Sequence, residues 1–377
     1  MESVKILHTG DLHIGMRFNN YPDDIRPQLV KARFEVLENL VTLANEEEAD
    51  LFVIAGDLFD KVNVAKRDQN QVLNILKKFS GSALLLLPGN HDYDDGVVDL
   101  WRFFEKELTD NLVLLNENKV FDLTDYGLDL SVYPAYCDSK HSEAGVNNLD
   151  WIKNLDSEKE SKWQIGIAHG ALEGYSPDLE KKYFNMNRSE LEELNLDLWL
   201  LGHTHVPYPQ TDKKSITGQS IFNAGTPEAD GMDCRHAGNA FLLELDDKGE
   251  VKAQVIEPGT YKFAELEYKI FDEDDLLNVK EQILDKYTKT SLVRLKLKGR
   301  IDKDLFNRKE EVYKELQKNL AYFKRYDSEL KINITPNVID EEFSQNSFPH
   351  QFLKKLVIKE DDEEALQVAY ELIKEVQ

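Results

Sequence analysis

Five short stretches set polar side chains directly after apolar runs: Gly10–His13 (GDLH), Gly56–Asp60 (GDLFD), Gly89–Asp92 (GNHD), Ala168–Gly170 (AHG) and Gly202–His205 (GHTH). Together they carry Asp11, His13, Asp57, Asn90, His91, His169, His203 and His205, and so five of the nine histidines. The glycines read as residues that let the backbone turn where each apolar run ends. Imidazole combined with carboxylate suits manganese, iron or zinc, and a carboxylate can bridge two ions through its two oxygens. A single zinc takes three or four ligands, so eight groups point to two divalent metal ions about 3.5 to 4 Å apart. A lone histidine would more often be a core residue. His8, inside the first apolar run, is read that way, with a hydrogen bond, and His141, His236 and His350 stand outside the pattern with no role assigned.

A centre of this kind needs elements that deliver all five segments to one place. Val4 to Thr9, Leu51 to Ala55, Ala83 to Leu87, Trp163 to Ala168 and Asp197 to Leu201 read as strands that end in the motifs. Between the first of these, apolar residues at helical spacing predict helices over Gln28 to Ala44, Arg67 to Phe79 and Val97 to Leu108. Strands alternating with helices give an α/β layered core, where ligands collect beyond the carboxyl ends of the strands. Short strands are expected at Leu112 to Leu115, Lys119 to Leu123 and Leu128 to Tyr133, with helices near Leu149 to Leu155 and Ser189 to Leu194. Phe241 to Ile256 reads as a hairpin turning at Asp246-Asp247-Lys248-Gly249.

Pro258-Gly259 marks a boundary, giving a first domain over residues 1–259. Residues 260–338 form a smaller α+β domain: strands at Phe263 to Ile270, Leu292 to Leu297 and Glu329 to Ile334, with helices at Asp274 to Lys286 and Lys303 to Leu320. Residues 339–377 form a tail ending in a helix over Asp361 to Val376, with Leu366, Ala369, Leu372 and Ile373 on one face. That face must dock, either on the chain's own body or on a partner.

The chain has 377 residues, more than one hydrophobic core usually spans. Cys137 and Cys234 are too few and too far apart for a disulfide framework and read as ordinary thiols of a reducing interior. The opening MESVKILHTGDLHIG lacks the apolar centre of a signal peptide, and no stretch is apolar for the length of a membrane span, so a cytoplasmic protein without a membrane is expected. The formal net charge of -25 argues against surface-wide affinity for nucleic acid and leaves room for a local site.

The ordered motifs DLH, GDLFD, GNHD, His169 and GHTH resemble those of the calcineurin-like metallophosphoesterases over about Val4 to Ile256. The resemblance implies a four-layer α/β/β/α sandwich with a smaller α+β capping domain. It implies that Asp11, His13, Asp57 and His205 hold one metal and that Asp57, Asn90, His169 and His203 hold the other, with Asp57 as the bridge. His91 is then the donor to the substrate phosphate and Asp92 the carboxylate that orients it, while the metals lower the pKa of a water for attack. His91 as a plain turn residue is the bland alternative.

Within that family, ILHTGDLHIG, LFVIAGDLFD, LLPGNHD and the stretch FNAGTPEADGMDCRHAGNAFLLELDDKGEV are similar to the SbcD-type double-strand-break repair nucleases. That likeness implies a manganese-dependent 3′ to 5′ exonuclease and single-strand endonuclease, with iron or zinc as the other metals its donors suit. It implies DNA as substrate, a homodimer, and an SbcC-type SMC-like ATPase as partner, on whose coiled coil the terminal helix would dock. Asn223-Ala224-Gly225 departs from the proline-glycine of those nucleases, and GHTH is shared with many phosphoesterases. Lys61, Lys66 and Arg67 follow GDLFD where they could touch phosphates, although loop lysines are more often simply solvated. The rival readings are a phosphodiesterase or phosphatase for a small soluble phosphoester, and a binding subunit with structural metals, against which the filled motif positions argue.

Overall fold

Short apolar segments buried along their whole length form one side of the first sheet. The computed structural model describes residues 3–155, 161–176, 178–210, 213–358 and 363–376. The chain opens with β1 (Ser3–Thr9), α1 (Arg26–Glu46), β2 (Leu51–Ala55), α2 (Lys66–Leu76), β3 (Ala83–Leu87), α3 (Asp99–Glu107) and β4 (Leu112–Leu114). It continues with β5 (Phe121–Asp122), β6 (Leu130–Ala135), α4 (Asp150–Lys153), β7 (Trp163–His169), α5 (Arg188–Glu193) and β8 (Leu198–Gly202). Then come β9 (Ser215–Thr217), β10 (Ile221–Asn223), β11 (Ala240–Asp246) and β12 (Val251–Ile256).

These strands make two sheets. One has the order β4-β3-β2-β1-β11-β12-β9 and the other β10-β8-β7-β6-β5. β1 to β4 run parallel, as do β6, β7, β8 and β10, so each sheet carries a block of strands whose carboxyl ends lie together. Strands buried on both faces need no apolar–polar alternation, which is why LFVIA and ALLLL read as continuous runs. Between the sheets lie Ile6, Val53 and Leu85 against Val132, Ile165, Leu198 and Phe222. On the outer face of the first sheet Leu37, Leu40, Leu76, Trp101 and Phe104 of α1 to α3 cover Leu7, Phe52 and Leu84. On the outer face of the second, Ile152 and Leu191 cover Tyr133 and Trp199. The result is the expected α/β/β/α sandwich.

By density of contacts the chain divides into Met1–Phe263 and Ala264–Gln377. The second unit holds a three-stranded sheet of β13 (Lys262–Ile270), β14 (Ser291–Ile301) and β15 (Tyr322–Ile332), with α6 (Glu273–Lys286) and α7 (Lys303–Asn319). Val279, Ile283, Val312 and Leu316 of the helices pack on Val293, Leu295 and Leu297. β15 begins seven residues earlier than the sequence pattern indicates, because Tyr322 to Tyr326 pair in parallel with Leu292 to Lys296 despite their polar character. β9 and β10 were also absent from the pattern, each being only three residues long.

The tail is three helices: α8 (Pro336–Glu342), α9 (Phe348–Val357) and α10 (Glu363–Val376). Thr335 and Ser347 cap the first two, each with a proline in the first turn. The expected start of the last helix at Asp361 lies outside the described residues. Leu366 and Tyr370 are buried against Val338, Ile339, Phe343 and Leu353, and Ala369 and Ile373 pack beside them. Leu372 does not join that face and is 57% exposed. Among the described residues no helix is long and apolar enough to cross a membrane.

Candidate metal centre

The loops that follow β1 and β2 go on pairing after the strands end. The amides of Asp11, His13 and Ile14 donate to the carbonyls of Gly56, Asp57 and Leu58 at 3.0, 2.9 and 3.0 Å. Asp11 and His13 are thereby carried alongside Asp57. All three have left-handed backbone, with φ of 54°, 46° and 50°, and His203 has φ of 94°. Non-glycine residues held there are strained by about 1 to 3 kcal/mol each, and such strain clusters at functional sites.

The motif glycines supply close approach more than turning. A Cβ on Gly89 would lie 2.2 Å from Asp57 Oδ1, although the Gly89 backbone is not left-handed. Gly56 combines both needs, with φ of 89° and a Cβ that would fall 2.0 Å from His169 Nδ1.

Donor atoms gather in two overlapping sets. In the first, His13 Nε2 lies 3.0 Å from His205 Nε2, 3.9 Å from Asp11 Oδ1 and 3.6 Å from Asp57 Oδ2. His205 Nε2 is 3.8 Å from Asp11 Oδ1. In the second set, Asn90 Oδ1 lies 3.1 Å from His169 Nε2 and 2.9 Å from His203 Nδ1, and His169 Nε2 is 3.4 Å from Asp57 Oδ2. Asp57 Oδ1 accepts the His91 amide at 2.8 Å, which leaves Oδ2 facing both sets. The Asn90 amide nitrogen is turned toward the Lys140 carbonyl, so its oxygen faces the imidazoles.

Backbone groups fix several of these side chains. His169 Nδ1 donates to the Ala55 carbonyl at 2.9 Å, leaving Nε2 as a lone-pair donor. The His203 amide donates to both oxygens of Asp11, at 3.1 and 2.9 Å. These donors are almost wholly buried apart from His203 and His205.

The electrostatics show what the donors lack. Burial opposes charge on His169, but Asp57, Asp11 and the Ala55 carbonyl outweigh it and push its pKa up to about 9. Burial likewise opposes charge on His205, which Asp230 and Asp11 push up to about 9. Burial keeps His13 neutral, and it lowers His203 to about 3 with help from the charge of His169. Asp57 stays far below the usual carboxylate range although burial opposes its charge, because His169 and His13 face it. Buried carboxylates thus draw positive charge onto neighbouring rings, and a divalent cation would supply that charge while freeing the ring nitrogens as ligands.

These donor–donor spacings of 2.9 to 3.9 Å lie at or slightly beyond the edges of about 2.8 to 3.6 Å expected around an octahedral or tetrahedral ion with bonds of about 2.0 to 2.2 Å. Asp11, His13 and His205 form one group able to hold an ion, and Asp11, Asp57 and His169 another. The residues fit two divalent cations bound by nitrogen and oxygen. Cys137 and Cys234 are free and buried, with Cys137 Sγ donating to the His169 carbonyl, so no thiolate enters the donor set.

Asp92 does not orient His91. Its carboxylate accepts the amides of Phe59 at 2.9 Å and Gly89 at 2.7 Å, and burial raises its pKa to about 7. Successive residues in this turn point apart, and Asp92 ties the GNHD turn to the loop after β2, where the Trp101 indole also holds its carbonyl. His91 Nδ1 instead lies 3.1 Å from the Asp60 carbonyl, and His13, Asp60 and His91 form a third cluster. Asp60 was visible as the last residue of GDLFD, yet its proximity to His91 arises only from folding.

Other residues were illegible. Asp230 Oδ2 is 2.7 Å from His205 Nδ1, and His236, assigned no role from sequence, reaches the His205 carbonyl. The buried Arg33 of α1 donates to the Leu12 carbonyl and to Thr226 Oγ1, at 3.1 and 3.2 Å. His8 is buried as expected, 3.1 Å from the Leu201 carbonyl, and burial lowers its pKa to about 3. Of the three cations after GDLFD, Lys66 lies over the Phe103 ring at 4.1 Å and Arg67 lines a groove with Glu38 and Asn74. All three are exposed, and Lys61 directly follows Asp60 in the chain.

A cleft of about 920 Å³ opens beside His203 and His205, with Tyr183, Asp230, Arg235 and Asn239 among its walls. Asn223, from the departure noted at Asn223-Ala224-Gly225, donates to the carbonyls of Thr204 and Val206 at 2.6 and 2.8 Å and so holds the GHTH loop.

A family model described as "Calcineurin-like phosphoesterase" matches residues 4–207. The chain is similar to the "Uncharacterized metallophosphoesterase YhaO" of Bacillus subtilis, 23% identical over 216 residues, covering 54% of this chain and 49% of the relative. It is also similar to the SbcD component of the nuclease SbcCD of Staphylococcus saprophyticus, 26% identical over 224 residues, covering 54% and 57%. The matches thus span about half the length of these curated relatives. Among solved structures, it is similar to the purple acid phosphatase PPD1 of yellow lupin, with a TM-score of 0.37, 15% identity and coverage of 67% of this chain and 53% of that one. A dimetal phosphatase of Danio rerio gives a TM-score of 0.37, 11% identity and coverage of 67% and 98%.

Proposed function

The chain belongs to the calcineurin-like phosphoesterase family, and from that premise we propose that it is a metal-dependent DNA nuclease, the SbcD-type component of a double-strand-break repair complex. The coarser activity, phosphoester hydrolysis at a binuclear metal centre, follows from the family. The observation that carries it is Asp57 Oδ2, 3.6 Å from His13 Nε2 and 3.4 Å from His169 Nε2, one oxygen serving both donor sets. Asp11, His13, Asp57 and His205 would hold one cation, and Asp57, Asn90, His169 and His203 the other, with manganese expected ahead of iron or zinc. When bound, the two ions supply Lewis acidity toward phosphoryl oxygens and a source of nucleophilic water at neutral pH.

The protein's own part is orientation and proton transfer. His91, with Nδ1–H given to the Asp60 carbonyl, presents its other nitrogen to the substrate. In its protonated form it stabilises charge on the phosphate and passes the Nε2 proton to the departing oxygen, a role worth typically about 10² to 10⁴ in rate. Asp57 holds the His91 amide, so His91 and the donor sets keep one frame.

DNA as substrate is supported by the motif-by-motif likeness to SbcD-type sequences and by the relative named as part of a nuclease. The net charge of -25 is compatible with this when an SbcC-type ATPase supplies much of the DNA-binding surface in a dimeric assembly. Phe348, Val368 and Leu372, 76%, 50% and 57% exposed on α9 and α10, are the residues that would meet such a partner. Incubating the purified chain and manganese with linear duplex and single-stranded DNA tests the reading. Nucleotide release that His91→Ala abolishes is expected, and hydrolysis confined to small esters contradicts it.

The cleft beside His203 favours a second reading. Apart from its histidines, its walls carry Asp178, Asp230, Asp233 and Glu257 against one guanidinium, Arg235, a poor track for a polyanion. A phosphodiesterase or phosphatase for a compact soluble phosphoester fits that cleft, and a panel of nucleotides and small esters run beside DNA separates the two.

A further inference from the structure

We propose that Asp230 and His236 are positioning residues for His205, and that the loop carrying them acts as a strap over one of the two candidate metal sites. This rests on the metal-centre reading above.

Of the imidazoles of the first donor set, His205 is the one that packing restrains least. Its side chain is 32% exposed, against 3% for that of His13. A ring so exposed turns about its χ angles unless something holds it, and a metal ligand must point one nitrogen at the ion. Asp230 Oδ2, 2.7 Å from His205 Nδ1, takes the proton on that nitrogen and leaves Nε2 bare, facing His13 Nε2 at 3.0 Å and Asp11 Oδ1 at 3.8 Å.

The backbone of His205 is held from the same loop. The Gly238 amide donates to His236 Nδ1 at 3.1 Å, so a neutral His236 carries its proton on Nε2, which donates to the His205 carbonyl at 2.7 Å. One loop thus grips His205 by its ring and by its carbonyl.

The loop itself is anchored. Thr226 Oγ1 lies 2.9 Å from the Asp11 carbonyl, and Asn239 donates to the Ala224 carbonyl at 2.9 Å. Glu228 accepts the amides of Thr260 and Tyr261 at 2.8 and 2.7 Å. The second donor set uses other means, since His169 Nδ1 is held by the Ala55 carbonyl. Asp60 also lies behind a candidate histidine ligand, but at 4.0 Å from His13 Nδ1 it is beyond hydrogen-bond reach, whereas Asp230 is bonded to His205; both rings belong to the first donor set, so the strap acts on one site.

The test is a titration of the metal-freed full chain with Mn²⁺ by calorimetry, and with Co²⁺ by its visible absorption. The parent is expected to take up two ions. In D230N one site weakens by about 10- to 100-fold, the size of effect seen when such a supporting partner is lost, while the other keeps its affinity. The Co²⁺ spectrum changes for the weakened site alone. H236A weakens the same site, and H236Q, which keeps a donor for the His205 carbonyl, restores it. Two ions bound by D230N with parental affinity overturn the proposal. So does an equal loss of affinity at both sites, which would mark a purely structural loop. A parent that binds no ion overturns the metal-centre reading itself, and this one with it.

Discussion

Asp57 divides its labour between two oxygens, one on the His91 amide and one between the donor sets. Asp57→Asn keeps the shape and removes the charge, so both ions are expected to be lost on dialysis, as read by metal analysis. Retention of two equivalents would contradict the bridge. His91→Asn should behave oppositely, keeping both ions while kcat falls by about 10² to 10⁴; metal content and turnover measured on one sample separate the two outcomes. Gly89→Ala puts a methyl 2.2 Å from Asp57 Oδ1 and 2.3 Å from its amide nitrogen. An overpacked site of this kind costs about 1 to 3 kcal/mol, measurable by urea unfolding, and metal uptake should fall with it. The identities of the candidate ligands were readable because each sits at the end of an apolar run. Directions were not: Asp92 is next to His91 in sequence but turns to the Phe59 and Gly89 amides, while Asp60, 31 residues away from His91, comes to its side.

The strands that carry the site were the most legible elements, since a buried parallel strand is a short apolar block that few other structures produce. LFVIA and ALLLL match β2 and β3 residue for residue. β15 was half hidden because its first residues are held by the neighbouring strand and not by their own pattern, and the tail read as one terminal helix where two further helices, each opened by a cap and a proline, precede it. Those caps are testable. Asn187 caps α5 in a reciprocal box with Glu190, so Asn187→Ala should lower stability by about 1 kcal/mol in chemical denaturation.

The second unit contains a pH-sensitive clasp. Glu342, at the end of α8, accepts from Tyr370 of α10 and pairs with Lys303 and Lys374. Burial opposes its charge, but these partners outweigh it and lower its pKa from 4.5 to about 2. A depressed carboxylate stabilises fully above its unfolded value, and that stabilisation is lost as pH falls from about 4.5 toward 2. Protection of the α10 amides, taken relative to the intrinsic exchange rate at each pH, should therefore fall through that window, and Glu342→Gln should remove the pH dependence. Equal protection at pH 6 and pH 3 would contradict the clasp.

At the scale of the whole chain, every candidate ligand lies in Met1–Phe263. Manganese at about a hundred times its dissociation constant should stabilise that unit by about 2.7 kcal/mol per site, and chelation should reverse it. Exchange in 264–377 should stay level; an equal rise in both units on chelation would show that they unfold as one.

The left-handed backbone at Asp11, His13, Asp57 and His203 carries a consequence for how the protein tolerates change. Glycine is at ease in that conformation, and aspartate and histidine are not. Asp57→Gly would relieve that strain but remove the acceptor of the His91 amide and the carboxylate facing His169, so the ion-free variant should melt no higher than its parent and hydrolyse nothing. Heat resistance alone would therefore hide what these residues are kept for, and a screen scored on turnover would outline the centre.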